Sequence, residues 1–283
     1  WVLNNYGMSS HYYWKTNKEI LSFSLEKNNE RGFFIYKDLS TQVKKFGQSF
    51  IKEDGHPSFS NNNEILVEEF LDGPELSLEC VTFKGETKII QYTEKFITPY
   101  PHPVEIGHLQ PAKLSIKDRN QIDMVVKNAI KCLGLDNTVT HPEVKMTKNG
   151  IKMVEIGPRG GGDFISSYLT LGSTGIDLDA AIVKLAFGEQ PNLNKKSNKF
   201  SFIKYLELPI GNKIRRVNDF SDLMKNSNVI LADISIKRGE IVEKISQSKK
   251  RPGFVIVRAN SKKELIKMAE KYLDILAKRI EKE

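Results

Sequence analysis

A fold that mixes antiparallel hairpins with amphipathic helices is predicted by three stretches of this 283-residue chain. From Thr140 to Asp163, two runs of β-branched and apolar residues meet at Asn149-Gly150, the pattern of a β-hairpin. Leu76–Thr82 and Thr87–Phe96 alternate apolar and polar residues and pair across Lys84-Gly85-Glu86. From Ser115 to Leu133, the residues Ile122, Val125, Val126, Ala129, Ile130 and Leu133 form one stripe at helical spacing, stopped by Gly134.

Taken in order, residues 1–31 mix aromatics with Asn, Gly and Ser and show no clear period. With no initiator methionine, the chain is expected to begin inside a longer protein. Phe33–Tyr36 reads as a short strand, and Asp38-Leu39-Ser40 opens a helix to about Phe50. His56–Asn63 is a polar, turn-rich loop in which His56 stands alone and is read as solvent-facing. Ile65–Glu79 reads as strand, Gly73-Pro74 turn and strand. Prolines 99, 101, 103 and 111 make Phe96–Pro111 a rigid extended loop, and His102 and His108 lack metal-ligand spacing.

After the main hairpin, Asp177–Phe187 reads as a helix closed by Gly188, and Asn192–Asn198 as a polar linker. Strands follow at Phe200–Leu206, Val229–Ile236 and Phe254–Arg258, with a short helix near Phe220–Lys225. Ser261-Lys-Lys-Glu264 is a capping box for a last helix carrying Leu265, Ala269, Tyr272 and Leu276 on one side. No internal repeat is found.

The formal charge of +8 raises the question of nucleic acid, but the lysines are scattered and often sit beside glutamates. The run Lys249-Lys250-Arg251 is short and reads as a solvated loop; no stacking motif accompanies it. The two cysteines, Cys80 and Cys132, imply no disulfide framework, and a reducing, cytoplasmic setting fits. Neither a membrane-spanning run nor a signal peptide is visible, so no nucleic-acid and no membrane partner is expected.

Register decides what the Thr140–Asp163 hairpin does. A two-residue turn at Asn149-Gly150 pairs Glu143 with Ile156 and puts Glu143 and Glu155 on opposite faces. A three-residue loop, Lys148-Asn149-Gly150 with Gly150 left-handed, pairs Glu143 with Glu155 at about 5 Å between Cβ atoms. Two facing carboxylates are destabilising alone, and a hard divalent cation turns that cost into a binding site. Arg159 then supplies a planar fork for phosphate or carboxylate, and Gly160, Gly161 and Gly162 a backbone that can approach a ligand closely. Metal, anion fork and glycine loop together suggest phosphate chemistry on a nucleotide.

This segment resembles the metal-binding hairpin of the ATP-grasp ligases: a Glu on one strand and Glu-x-Asn-x-Arg on the next. Here the second strand reads Glu155-Ile-Gly157-Pro-Arg159, with Gly157 where many members keep Asn, so one side-chain ligand fewer is offered to a second metal. It is similar to the branch that joins amino acids into dipeptides. The stretch Glu68-Glu69-Phe-Leu71-Asp-Gly73-Pro-Glu75 resembles the hinge of the same family, Glu-x-Phe-Leu-x-Gly-x-Glu. The resemblance implies backbone groups of Glu69 and Leu71 on the adenine edge, Glu68 near the adenine amino group and Glu75 on the ribose. A Glu-x-Gly-His segment of that branch lies at the amino-acid pocket, which implies Glu105 for an ammonium group and His108 for orienting substrate. Gly32 matches the end of the family's phosphate loop, but no Lys occupies the strand before it.

The resemblance implies an α+β fold of two subdomains holding ATP between antiparallel sheets, with a small C-terminal β-rich region. The expected organisation is an atypical lid at 1–64, a core at 65–190 and an α+β region at 191–283 that packs under the site without supplying chemistry. The implied activity is an ATP-dependent carboxylate–amine ligase using Mg²⁺ or Mn²⁺ on Glu143 and Glu155, with Arg159 steadying an acyl phosphate and Gly160–Gly162 binding the carboxylate. The partners are ATP and an amino-acid or carboxylate substrate; a homodimer is compatible. Two alternatives stay open: another ATP-grasp enzyme of the purine-pathway or biotin-dependent carboxylase type, and a non-catalytic subunit.

Overall fold

In the computed structural model, residues 71–99 and 103–283 are described in full. Backbone is also described for β1 (Val2–Leu3), β2 (Tyr12–Tyr13), β3 (Phe34–Tyr36) and β4 (Ile65–Val67). The chain divides into two units: residues 1–70 with 98–104, and residues 71–97 with 105–283. In the first, β1 pairs with β2 and β3 with β4, both antiparallel. Glu68, Glu69, Gly32, His56, His102 and the helix expected from Asp38 lie outside the described residues.

The second unit is built on strands β5 (Glu75–Phe83), β6 (Glu86–Ile97), β7 (Glu105–Gln110), β8 (Thr138–Thr147), β9 (Gly150–Gly157) and β10 (Phe200–Tyr205). They are joined, beyond the short β11 (Ile214–Val217), by β12 (Val229–Ile234) and β13 (Gly253–Ala259). These eight long strands form one sheet in the order β12-β13-β10-β7-β6-β5-β8-β9. Every neighbouring pair runs antiparallel. The C-terminal region expected from residue 191 therefore contributes β10, β12 and β13 to the same sheet. Within that region only β11 and β14 (Ile280–Lys282) make a small sheet of their own.

Two long helices cover one face. Helix α1 (Ile116–Cys132) starts at Ser115, whose Oγ accepts from the Asp118 amide, and ends before Gly134 at φ +64°. Ile122, Val126 and Ile130 of α1 pack on Leu76, Leu78 and Tyr92, whereas Leu133, expected on the same stripe, is exposed. Burying each large aliphatic of this kind stabilises by about 1.5–3 kcal/mol. After α2 (Leu171–Thr174) and α3 (Leu178–Ala186), helix α4 (Lys262–Lys278) opens on Ser261, whose Oγ accepts from the Glu264 amide. Its buried Leu265, Ala269, Tyr272 and Leu276 are the residues the sequence stripe names.

The other face carries a short π-helical turn, Ile165–Thr170, which the sequence does not signal. Ile165 and Leu169 pack on Ile203, Tyr205, Phe254 and Ile256 at one end of that face. At the other end of that face Val81, Ile90 and Val139 pack on Ile176, Leu178 and Leu185. Between the two apolar clusters the face is polar and buried, and the candidate site lies there.

Candidate active site

The β8–β9 hairpin brings Glu143 and Glu155 into register, by a route different from either loop expected from the sequence. Thr147 pairs with Gly150, so the loop is the two residues Lys148 and Asn149. That register alone aligns Glu143 with Val154, but a bulge between Glu143 and Val144 shifts the strand and pairs Glu143 with Glu155. Gly150 has φ +98°, a backbone that a side chain adopts only with strain. The two carboxylates therefore start from one face of adjacent strands.

Around Glu143 the charges alternate in sign. Glu79 Oε1 lies 2.6 Å from His141 Nδ1, and His141 Nε2 lies 3.4 Å from Glu143 Oε1. Lys95 Nζ is 2.8 Å from the same Oε1, 2.6 Å from Glu75 Oε1 and 3.8 Å from Glu105 Oε1. Lys145 closes the chain, 3.7 Å from Glu75 Oε2, and donates to the Leu71 carbonyl at 3.1 Å. Glu79, His141, Glu143 and Lys145 are buried. Such a row survives desolvation only because each charge faces its opposite.

Since both imidazole nitrogens of His141 face carboxylates, the ring is a double donor and carries charge. Burial opposes that charge, but hydrogen bonds to Glu143 and Glu79 outweigh it and push the His141 pKa up to about 9. Burial likewise opposes the charge on Glu143; Lys95 and His141 nonetheless hold its carboxyl well below the usual range. Lys95, buried but facing Glu143, Glu75 and Glu105, is held above its usual value.

The glycine loop is clamped from inside the protein. The Gly161 amide donates to Glu79 Oε1 at 3.2 Å and Oε2 at 3.3 Å, and the Gly161 carbonyl accepts from Ser166 Oγ at 3.0 Å. A Cβ at Gly161 would lie 2.4 Å from Glu79 Oε1 and 2.6 Å from His141 Nδ1, so only glycine fits. Farther on, Asp163 and Phe164 both adopt positive φ, 49° and 62°. Arg251 grips Asp163 with two hydrogen bonds, Nη1 to Oδ2 at 2.7 Å and Nη2 to Oδ1 at 2.8 Å. Its Nη1 also donates to the Glu105 carbonyl at 3.2 Å, and its guanidinium lies 3.7 Å from the Tyr205 ring centroid. His108 Nε2 reaches the same Asp163 Oδ2 at 3.2 Å, leaving its buried Nδ1 without a partner among the described residues. Burial disfavours the Asp163 charge, but the bonds from His108 and Arg251 hold its carboxyl well below the ordinary range.

The structure thus brings Glu75, Glu105, Glu143 and Glu155 together along β5, β7, β8 and β9, with Lys95 linking the first three. Leu71 comes to this group through Lys145. Arg159 is exposed, donates to the Gly160 carbonyl at 2.9 Å and lies over Gly157, where an added Cβ would approach its Cγ to 3.3 Å. Three residues named from the sequence have partners inside the protein. The Gly161 amide, expected to meet a substrate carboxylate, donates to Glu79. His108, expected to orient substrate, contacts Asp163. Arg251, read as part of a solvated basic run, has a side chain only 10% exposed and supplies a polar contact from the segment expected to lack a role in the site.

Sequence reasoning missed Lys95, Glu79, His141, Asp163 and Arg251 as members of one network. His141 and Asp163 sit inside the hairpin motif and Glu79 lies four residues beyond the hinge motif, so proximity to those motifs was the available signal. Nothing in the sequence marks Arg251, which is 88 residues from its partner.

For a divalent cation the donor chemistry fits. Both ion pairs of Glu143 fall on Oε1, and Glu155 makes no ion pair or side-chain hydrogen bond among the described residues. Two hard oxygen donors on one face suit Mg²⁺, which takes further ligands from water and phosphate. No group of three or more His, Cys, Asp or Glu suited to a metal occurs among the described residues, so the protein alone would supply a partial shell.

Residues 35–167 match the family model described as ATP-grasp domain. Mouse (Mus musculus) carnosine synthase 1 is 32% identical over 146 residues, covering 50% of this chain and 17% of the synthase. The chain spans less than a third of the length of the first curated relatives it matches. Among solved structures, an L-amino acid ligase from Bacillus licheniformis superposes with a TM-score of 0.64 at 20% identity, covering 84% of this chain and 58% of that one. Phosphoribosylglycinamide synthetase from Anaerococcus prevotii superposes with a TM-score of 0.65 at 17% identity, covering 89% and 69%. At these identities the two structures establish the fold. No helix among the described residues is long and apolar enough to cross a membrane.

Proposed function

We propose that this chain, which belongs to the ATP-grasp superfamily through the domain at residues 35–167, is part of an ADP-forming carboxylate–amine ligase acting on an amino acid. The observation that carries the reading is the cross-strand pair Glu143–Glu155, set on a buried charged face beside the Arg159–Gly162 loop. In this reaction a substrate carboxylate oxygen takes the terminal phosphoryl group of ATP and ADP leaves. An amine then attacks the acyl carbon, losing a proton as phosphate departs.

Each residue has a stated part. Leu71 takes the adenine edge through its backbone and Glu75 the ribose; Glu68 and Glu69, given adenine roles by the resemblance, lie outside the described residues. Glu143, through its Oε2, and Glu155 hold the divalent cation. That cation neutralises charge on the phosphate oxygens when bound. Lys95 and His141 keep Glu143 ionised and fix its other oxygen, so its orientation does not depend on metal. The exposed fork of Arg159 steadies the acyl phosphate and its tetrahedral successor. The amides of Gly160 and Gly162, which make no hydrogen bond among the described residues, receive the carboxylate. Glu105 takes the ammonium group of the amino acid, and both substrates react from one template.

The test is ADP release in Mg²⁺ with a panel of amino acids, singly and in pairs. Release that requires an amino-acid pair supports the reading. Bicarbonate-dependent release points to a carboxylase, and ATP binding without turnover to a non-catalytic subunit.

A further inference from the structure

A second concavity opens at the part of β6 that β7 does not cover, and it is reached from both faces of the sheet. Tyr92 pairs with Leu78, next to the Ser77–Glu143 pair, so its side chain points away from the carboxylate face and joins the core under α1. Around this edge a cleft of about 380 Å³ is lined by Tyr92, by Lys88, which pairs with Val81 on the other face, by Arg119, Asp123 and Lys127 from α1, and by Lys195. Arg119, Asp123 and Lys127 are spaced four residues apart and so fall on one helix face.

Specific contacts hold these groups in place. The Arg119 guanidinium lies 4.7 Å from the Tyr92 ring centroid, and the Tyr92 hydroxyl donates to Asp123 Oδ1. Lys88 Nζ donates to the Leu193 carbonyl at 2.8 Å, which draws the segment carrying Lys195 towards β6. Four cations therefore face one carboxylate, already engaged by Tyr92. Burial, and then the charges of Arg119 and Lys88, hold the Lys195 ammonium below its ordinary value. Like charges gathered this way cost free energy, which an entering anion offsets.

We propose that this cleft binds a small phosphate-bearing anion, either inorganic phosphate or a phosphate monoester, on Arg119, Lys88, Lys127 and Lys195. The arginine offers a bidentate fork matched to two phosphate oxygens, and the lysines add point charges around the remainder. A cleft of about 380 Å³ is at the small end for ligand pockets, which suits phosphate with a short organic group and not a long chain. None of its residues belongs to the candidate active site, so the proposal stands apart from the ligase reading.

The experiment is isothermal titration of the whole chain with inorganic phosphate and with glycerol phosphate, at ionic strength held constant by sodium chloride. Saturable binding of either is expected, weakened about tenfold in R119Q and again about tenfold in R119Q/K195Q. Tighter binding of the ester identifies an esterified metabolite as the source, and tighter binding of the free ion identifies phosphate itself; each supports the proposal. Both side chains are exposed, and circular dichroism confirms that the variants fold. Affinity unchanged in R119Q/K195Q places the anion elsewhere and overturns the proposal. Binding of a single-stranded oligonucleotide with neither small phosphate bound also overturns it.

Discussion

Replacing Arg251 with methionine isolates the contact that fastens the glycine loop to the C-terminal part of the sheet. The wild-type pair comprises two charge-assisted hydrogen bonds of 2.7 and 2.8 Å, with side chains 10% and 27% exposed. A fully exposed pair contributes about 0–1 kcal/mol, whereas breaking a fully buried one costs about 3–5 kcal/mol. The partial shielding here places the cost of R251M, or of D163N, at about 2–3 kcal/mol. In a chain of this size that lowers Tm by about 5–10 °C. The stacking of Arg251 on Tyr205 is lost from R251M whether or not Asp163 is changed, so it cancels in a double-mutant cycle. Thermal and urea denaturation of wild type, R251M, D163N and the double variant should give a coupling energy of about 2 kcal/mol. A coupling below about 0.5 kcal/mol refutes the reasoning, because that is the scale of additive, independent sites. Loss of the pair also relaxes Asp163 and Phe164, whose positive φ values otherwise cost about 1–3 kcal/mol each. The loop should then be cleaved faster by trypsin at Arg159 in R251M.

Other consequences follow from the same contacts. Asp163 is held below its unfolded pKa, so its contribution to stability is complete above about pH 4 and declines as pH falls through the folded value. The Tm difference between wild type and D163N should therefore be constant near neutrality and shrink in acid; a difference that grows in acid contradicts the assignment. G161A forces a methyl group against Glu79 and His141, and should destabilise by about 2 kcal/mol or more in urea titration. An unchanged midpoint would show that the clamp is loose. E155Q should abolish ADP release while leaving the circular dichroism spectrum intact, and E143Q should raise the Mg²⁺ concentration needed for half-maximal release. An E143Q titration that overlays wild type removes Glu143 from the metal site.

How much of this was legible in the sequence depended on whether a feature was local. The helices at Ile116–Cys132 and Lys262–Lys278 were readable because an apolar stripe lies within about five turns, with a stop at Gly134 in the first and a capping box at Ser261 in the second. The β5–β6 and β8–β9 hairpins were readable for the same reason. The Glu143–Glu155 pairing was foreseen as one of two registers, yet it is produced by a bulge that no turn residue announces. The Ile165–Thr170 π-helical turn follows a left-handed Phe164, a conformation its residue type disfavours, so propensity pointed away from it. The Glu79–His141–Glu143–Lys95–Glu75 row is built by strand neighbours drawn from three separate stretches. Alternating charges of this kind appear in sequence as ordinary surface residues until the sheet order buries them. Arg251 was misread for a related reason: its lysine neighbours are solvated, and only the fold turns the third residue of the run inward.

The most direct measurement is the ATP affinity of wild type and of E143Q/E155Q, with Mg²⁺ and with EDTA, by isothermal titration. Wild type should bind ATP more tightly in Mg²⁺ than in EDTA by at least about tenfold, and the double variant should lose that difference, since the proposed site assigns the cation to these two carboxylates. Equal Mg²⁺ enhancement in both proteins would contradict the account, because the cation would then be held by other groups.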